Sequence, residues 1–171
     1  TAEAGAIEYT TPQLFFTNGG AQRQEIIQSQ QSRVSSNFSK VNDTLANITG
    51  LTATLVAAKI YRFEAVLYTT SNIAAGVKFA ISTSSTLTAT SIIYESFGSA
   101  GGIPITPGTS RATALDTTVG NTTATTVTSV FITGLIVVNV AGTITVQFAQ
   151  NATNAAESLV LAGSTFVVSE M

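Results

Sequence analysis

From Ile60 to Thr70 (IYRFEAVLYTT), Tyr61, Phe63, Ala65 and Leu67 fall on one side of an extended chain, and Arg62, Glu64, Val66 and Tyr68 on the other. Successive side chains of a strand point to opposite faces, so this alternation specifies a strand with one buried and one wet face. The pattern returns downstream. Gly76 to Ser82 (GVKFAIS) aligns Val77, Phe79 and Ile81, Thr143 to Phe148 aligns Ile144, Val146 and Phe148, and Ser164 to Ser169 aligns Phe166 with Val168. The candidate core is therefore Tyr61, Phe63, Leu67, Phe79, Ile81, Ile144, Val146, Phe148 and Phe166. Val127 to Val140 reads as one long strand with a bulge at Gly134, and Gly142 permits a tight turn into the strand that follows. Short strands separated by turn signals predict an all-β chain, an antiparallel sandwich or barrel.

The wet faces are unusual. Only 9% of the 171 residues are charged, against about 25% in an average domain. Serine and threonine, roughly a quarter of the chain, take the place of charge relative to average usage. Threonine is β-branched and suits a pleated, half-wet surface, so the same bias favours strands. A surface with few charges is cheap to desolvate, which suits contact with identical copies. The net charge of −2 and the scattered Lys and Arg residues offer no basic patch, so neither nucleic acid nor an anionic membrane surface is an expected partner. Val127 to Val140 is too short and too often interrupted by polar residues to cross a bilayer as a helix, so no membrane insertion is expected. Thr1 stands where an initiator methionine would, which fits a processed chain or a piece of a longer one.

Along the chain, residues 1–30 read as an extended N-terminal β arm or hairpin, and 31–171 as a single β-sandwich domain. Pro12 and Asn18-Gly19-Gly20 punctuate the arm. A piece this short needs a neighbour to pair with, so Ile7, Tyr9, Leu14, Phe15 and Phe16 are the candidate assembly residues. Between 28 and 50, Val34, Phe38, Val41 and Leu45 stand at helical spacing, while Gln31 to Ser36 reads as an edge strand. Strand is preferred, because Ser, Asn and Val are poor helix formers and no cap precedes them. Phe97 to Thr126 holds Gly98, Gly101, Gly102, Pro104, Pro107, Gly108 and Gly120 and reads as a long loop, the candidate for receptor contact.

Catalysis is disfavoured by what is missing. The chain has no His and no Cys, which removes the usual general base, the thiol nucleophile and the commonest metal ligands. Its nine acidic residues form no spaced motif: Glu64 and Glu95 fall on strands, and Asp43, Asp116 and Glu157 in loops. Arg62 and Glu64 share a strand face and are placed to pair. No EF-hand run and no phosphate-binding glycine loop occurs, so no metal and no cofactor is expected. The N-x-[ST] triplets at Asn37, Asn42, Asn47, Asn121 and Asn151 are what a Ser- and Thr-rich chain produces by chance.

Ala4-Gly5-Ala6-Ile7-Glu8-Tyr9, then Gln13-Leu14-Phe15-Phe16-Thr17 and the Gly-Gly-Ala-Gln-Arg turn at 19–23, resemble the opening segment of tail-fibre-like structural proteins of tailed bacteriophages. Residues 44–82, 132–138, 141–148 and 163–168 resemble the strands of the domain that follows in such proteins. Thr10-Thr11-Pro12 departs from the Asp-Gly turn of that pattern. The resemblance implies a jelly-roll-like sandwich, commonly trimeric, located on a virion or outside a cell, binding a host-surface glycan or protein, or decorating a capsid. It brings no catalytic residue with it. The alternative from another class is an extracellular filament or sheath subunit that polymerises by donating its N-terminal strand to the next copy. A third, a carbohydrate-binding accessory module, would rely on Tyr68 and Tyr94 to stack on sugars.

Overall fold

The computed structural model describes residues 4–10, 13–20, 22–26, 28–71, 74–84, 86–100, 103–105, 111–122 and 128–171. Pro12, Val127, and Gly101, Gly102, Pro107 and Gly108 of the expected long loop lie outside them.

The first three strands, β1 (Ile7–Thr10), β2 (Gln13–Thr17) and β3 (Arg23–Glu25), make a small antiparallel sheet of their own. The others are β4 (Ser29–Arg33), β5 (Phe38–Lys40), β6 (Ala46–Leu55), β7 (Ile60–Thr70), β8 (Val77–Thr83), β9 (Thr88–Ala100) and β10 (Ile103–Ile105). They continue with β11 (Arg111–Ala112), β12 (Val119–Thr122), β13 (Thr128–Val140), β14 (Gly142–Gln150), β15 (Ser158–Val160) and β16 (Thr165–Glu170). One layer runs β12-β8-β14-β6. The other is built on β9-β13-β7, with β16 and then β4 beyond β7, β10 and β11 on β9, and the short β15 and β5 at one end of β7.

The connectivity decides the fold. β4 pairs with β16, β6 with β14, β7 with β13 and β8 with β12, all antiparallel. These four pairs are nested, the first strand with the last and so on inward, and alternate pairs lie in opposite layers. That is the strand order of a jelly roll. Between its innermost strands the chain inserts β9, β10 and β11, and β9 extends the sheet by pairing along β13. The chain is therefore an all-β, antiparallel jelly-roll sandwich.

The alternating pattern maps directly onto the layers. On β7 the face of Tyr61, Phe63, Ala65 and Leu67 is buried, and Arg62, Glu64 and Tyr68 on the other are exposed. Phe79, Ile81, Ile144, Val146, Phe148 and Phe166 are also buried between the sheets. Aromatic rings pack in two groups: Phe63 lies 6.2 Å from Phe166 and 6.4 Å from Tyr94 within one layer, and Phe148 lies 5.5 Å from Phe79 in its own layer and 6.4 Å from Phe38 of the other. Ring centroids at 4.5–7 Å in tilted or edge arrangements add about 0.5–1.5 kcal/mol per pair beyond the area buried.

Two glycines act differently from expectation. The β13 register runs through Gly134 without a shift on either side, opposite Phe63 on β7 and Tyr94 on β9. It is therefore no bulge. A Cβ there would stand 2.5 Å from Ile93 O, 2.5 Å from Phe63 Cζ and 2.6 Å from Tyr94 Cβ, so glycine is required by close approach. Gly142 does not close a hairpin either, because β13 and β14 belong to opposite layers. The chain turns a corner between sheets, and a Cβ at Gly142 would meet Leu87 Cβ at 2.6 Å and Ser84 Oγ at 2.8 Å.

The stretch read as a long loop from Phe97 to Thr126 is partly sheet. β9 runs on to Ala100, and β10 folds back on it with Ile103 opposite Ala100. The segment after β11 is pinned from inside the core. The Tyr94 hydroxyl, on a ring only 1% exposed, donates to Thr117 O and accepts from Ile81 N (3.4 Å), while Asp116 N donates to Ile81 O (2.9 Å). Burial pushes the Tyr94 pKa above its ordinary value of 10.0. A raised phenol pKa means the neutral ring is the form that folding favours. Its contribution is complete below about pH 10 and is lost as pH rises through the folded-state value. Tyr94→Phe should cost about 1–2 kcal/mol at pH 8, since it removes the donor to a part-buried carbonyl and an acceptor from the buried Ile81 N–H. Urea midpoints at pH 8 and pH 11 check this, and the deficit relative to wild type should shrink at the higher pH.

The edge-strand expectation for 31–36 holds for 31–33, which belong to β4, a strand that pairs with β16 alone; the chain leaves the strand at the buried Val34 and bends at Ser35 and Ser36. Gln30 of β4 reaches into the other layer: the side-chain Nε2 donates to Thr54 O (2.6 Å) and Oε1 accepts from Thr54 N (3.0 Å). That amide makes the two bonds a neighbouring strand would make to β6.

Candidate assembly surfaces

Two exposed sheet faces stand out. The first belongs to the N-terminal sheet. Asn18 Oδ1 accepts from Gly20 N (3.0 Å) and Gln22 N (3.1 Å), which forms the turn between β2 and β3. Ile7 is registered opposite Phe16, Tyr9 opposite Leu14 and Glu8 opposite Phe15. Ile26 N donates to Leu14 O (2.8 Å), which extends the β3 side. Residues opposite one another share a face, so Ile7, Leu14, Phe16 and Ile26 lie together. Ile7 is 68% exposed, Phe16 41% and Ile26 38%. The reverse face is tied within itself: Arg23 stacks over the Phe15 ring at 4.9 Å and donates Nε–H to Glu8 Oε2 at 2.7 Å. Among the sequence candidates, the structure thus groups Ile7, Leu14 and Phe16 and sets Phe15 on the opposite side.

The second is the outer face of β9, β13, β7 and β16. Its rows follow from register. Val66, Phe131 and Phe97 lie in one row, Glu64, Thr133 and Glu95 in the next, and Arg62, Leu135 and Ile93 in the third. Phe97 is 52% exposed and stacks on Phe131 (centroids 5.2 Å, planes 9° apart). Ile93, Leu135, Tyr68 and Met171 are exposed as well. The charges between them pair locally: Arg62 with Glu64 and Arg111 with Glu95, each at 3.6 Å. A shallow groove of about 340 Å³ crosses this face, lined by Arg62, Ile93, Glu95, Arg111, Leu135 and Met171 among others.

The expected sugar-stacking use of Tyr94 does not survive, because its ring is interior; Tyr68 is exposed. The sequence reading missed the exposed pairs Phe97 with Phe131 and Ile93 with Leu135. The available signal was that β13 is apolar on both faces, which one-sided alternation does not require. Among the described residues no group of three acidic, His or Cys side chains is placed to hold a metal ion, and no helix is long and apolar enough to cross a membrane.

No family model matches the sequence, and no curated protein matches it. Among solved structures, a chain from the infectious bursal disease virus Gx strain is 11% identical with a TM-score of 0.30, over 96% of this chain and 44% of that one. The VP2 subviral particle of the same virus is 10% identical with a TM-score of 0.24, over 87% of this chain and 42% of that one. The chain spans less than half the length of these proteins. The nested strand order, rather than these scores, defines the fold.

Proposed function

We propose that this chain is a self-assembling structural protein of a virion, of tail-fibre-tip or decoration type, that works by contact rather than catalysis. The observation that carries it is the N-terminal sheet. Three strands of three to five residues present Ile7, Phe16 and Ile26 to solvent, and so small a sheet gains its stability by covering an apolar face. The assembly arm in this reading is the part of residues 1–30 that precedes β4, with Ile7, Tyr9, Leu14 and Phe16 as its contact residues and Phe15 held on the reverse face, and the jelly roll from β4 onward is the body that copies share. The low charge of the chain supports the same reading, since few charges need to be stripped of water when copies meet. A closed homo-oligomer such as a trimer is the form proposed, with a host-surface glycan or protein as the further partner of a fibre tip.

Negative-stain electron microscopy and sedimentation of the full chain test this. Discrete particles larger than a monomer are expected, and Ile7→Lys/Phe16→Lys should break them into smaller species at the same concentration. A wild-type chain that stays monomeric at all attainable concentrations would sink the proposal. Long uniform fibres would replace it with a filament subunit.

A further inference from the structure

We infer that the outer face of β9, β13, β7 and β16 is a second contact surface and that its occupant is another copy of this chain. The inference rests on the assembly reading above and adds the surface that the arm does not supply. Three observations carry it.

The first is exposure in register. Phe97 and Phe131 are cross-strand neighbours on β9 and β13, as are Ile93 and Leu135, so the apolar residues come as two paired strips on one face, with the row of Thr133 and Glu95 between them. Isolated apolar residues on a surface are ordinary, but paired ones gathered on one face mark a contact. Val66 and Met171 widen it at either end.

The second is charge. Arg62, Arg111, Glu64 and Glu95 sum to zero and are already matched in two pairs within the face. Such a surface exerts no net attraction on a nucleic acid or an acidic or basic peptide. It is complementary to a partner that is equally neutral and apolar, and a copy of itself fits that description. Because most homo-oligomers use self-complementary patches, a neutral face with internally paired charges can meet its own image without like-charge conflict.

The third is size. The β13 register with β7 spans Thr128 to Val137 and that of β16 with β7 spans Thr165 to Glu170, so these four strands, about 4.8 Å apart and about 3.3 Å per residue, give a face of roughly 550–600 Å². That is about 70% of the ~800 Å² per partner of a standard stable interface.

The test is sedimentation equilibrium of the full chain carrying Phe97→Lys, with Leu135→Lys as an independent variant and Ile7→Lys/Phe16→Lys as the contrast. Far-UV circular dichroism and urea midpoints establish folding. Phe97 is the more exposed of the two face positions, so its variant carries the result if Leu135→Lys is destabilised. Each face variant should weaken self-association at least tenfold, and raising the salt concentration should change the wild-type dissociation constant by less than threefold. If the wild type associates and only the arm variant dissociates it, this inference is overturned and the assembly reading stands. If the wild type does not associate at all, both fall.

Discussion

Gly134→Ala is expected to destabilise the protein by about 3 kcal/mol or more, at or above the top of the usual range for overpacking a core. For a chain of this size that lowers the melting temperature by roughly 6–12 °C. The new methyl group would stand 2.5 Å from a backbone carbonyl, Ile93 O, and 2.5 Å from Phe63 Cζ, far inside van der Waals contact. Phe63 cannot swing away, because Tyr94 and Phe166 pack against its ring. Nor can β9 recede without breaking a register that continues on both sides of Tyr94. Calorimetry of Gly134→Ala alone and in a Phe63→Leu background separates the two causes. Shortening the ring should recover only part of the loss, since the carbonyl remains. A Gly134→Ala protein melting within 2 °C of wild type would show that this strand pair is looser than its register implies.

Phe148→Ala is expected to cost about 3–5 kcal/mol, the usual range for emptying a fully buried aromatic position. Phe148 is wholly buried on β14, in the middle of the four-stranded layer, and its ring meets Phe79 on the same layer and Phe38 from the other side. The cavity would therefore open where the two layers meet and would not be collapsed from solvent. Phe148→Leu should cost markedly less, and chemical denaturation of both variants gives the comparison. Equal losses for the two would point to a specific aromatic contact in place of simple volume.

The contrast between these sites shows what was legible in the sequence. Strict alternation fixed the position of β7 to the residue and the side it turns inward, because a period of two leaves only one register in which Tyr61, Phe63, Ala65 and Leu67 are all dry. The order of strands was not legible, since nested pairing joins residues far apart in the chain, such as Ser32 and Phe166. Gly134 and Gly142 illustrate the same limit. Each was read as a local device, a bulge and a turn, yet what requires it is a neighbour brought close by the tertiary fold. Of the assembly candidates, register alone separates Phe15 from Phe16, and the exposed pairs on β9 and β13 were hidden because an apolar residue on an outer face looks like core until its strand is placed.

Gln30 has a consequence for how copies can meet. By occupying the main-chain groups of Thr54 with a side-chain amide, it fills a slot where a foreign strand would otherwise add itself to β6. A protein whose surface is poor in charge lacks the usual deterrent to sheet-to-sheet growth, namely lysines along its edges. Here the deterrent is a neutral mimic of the peptide group itself. Recognition between copies is thereby steered away from this stretch of β6 and toward faces, where side-chain shape sets the partner.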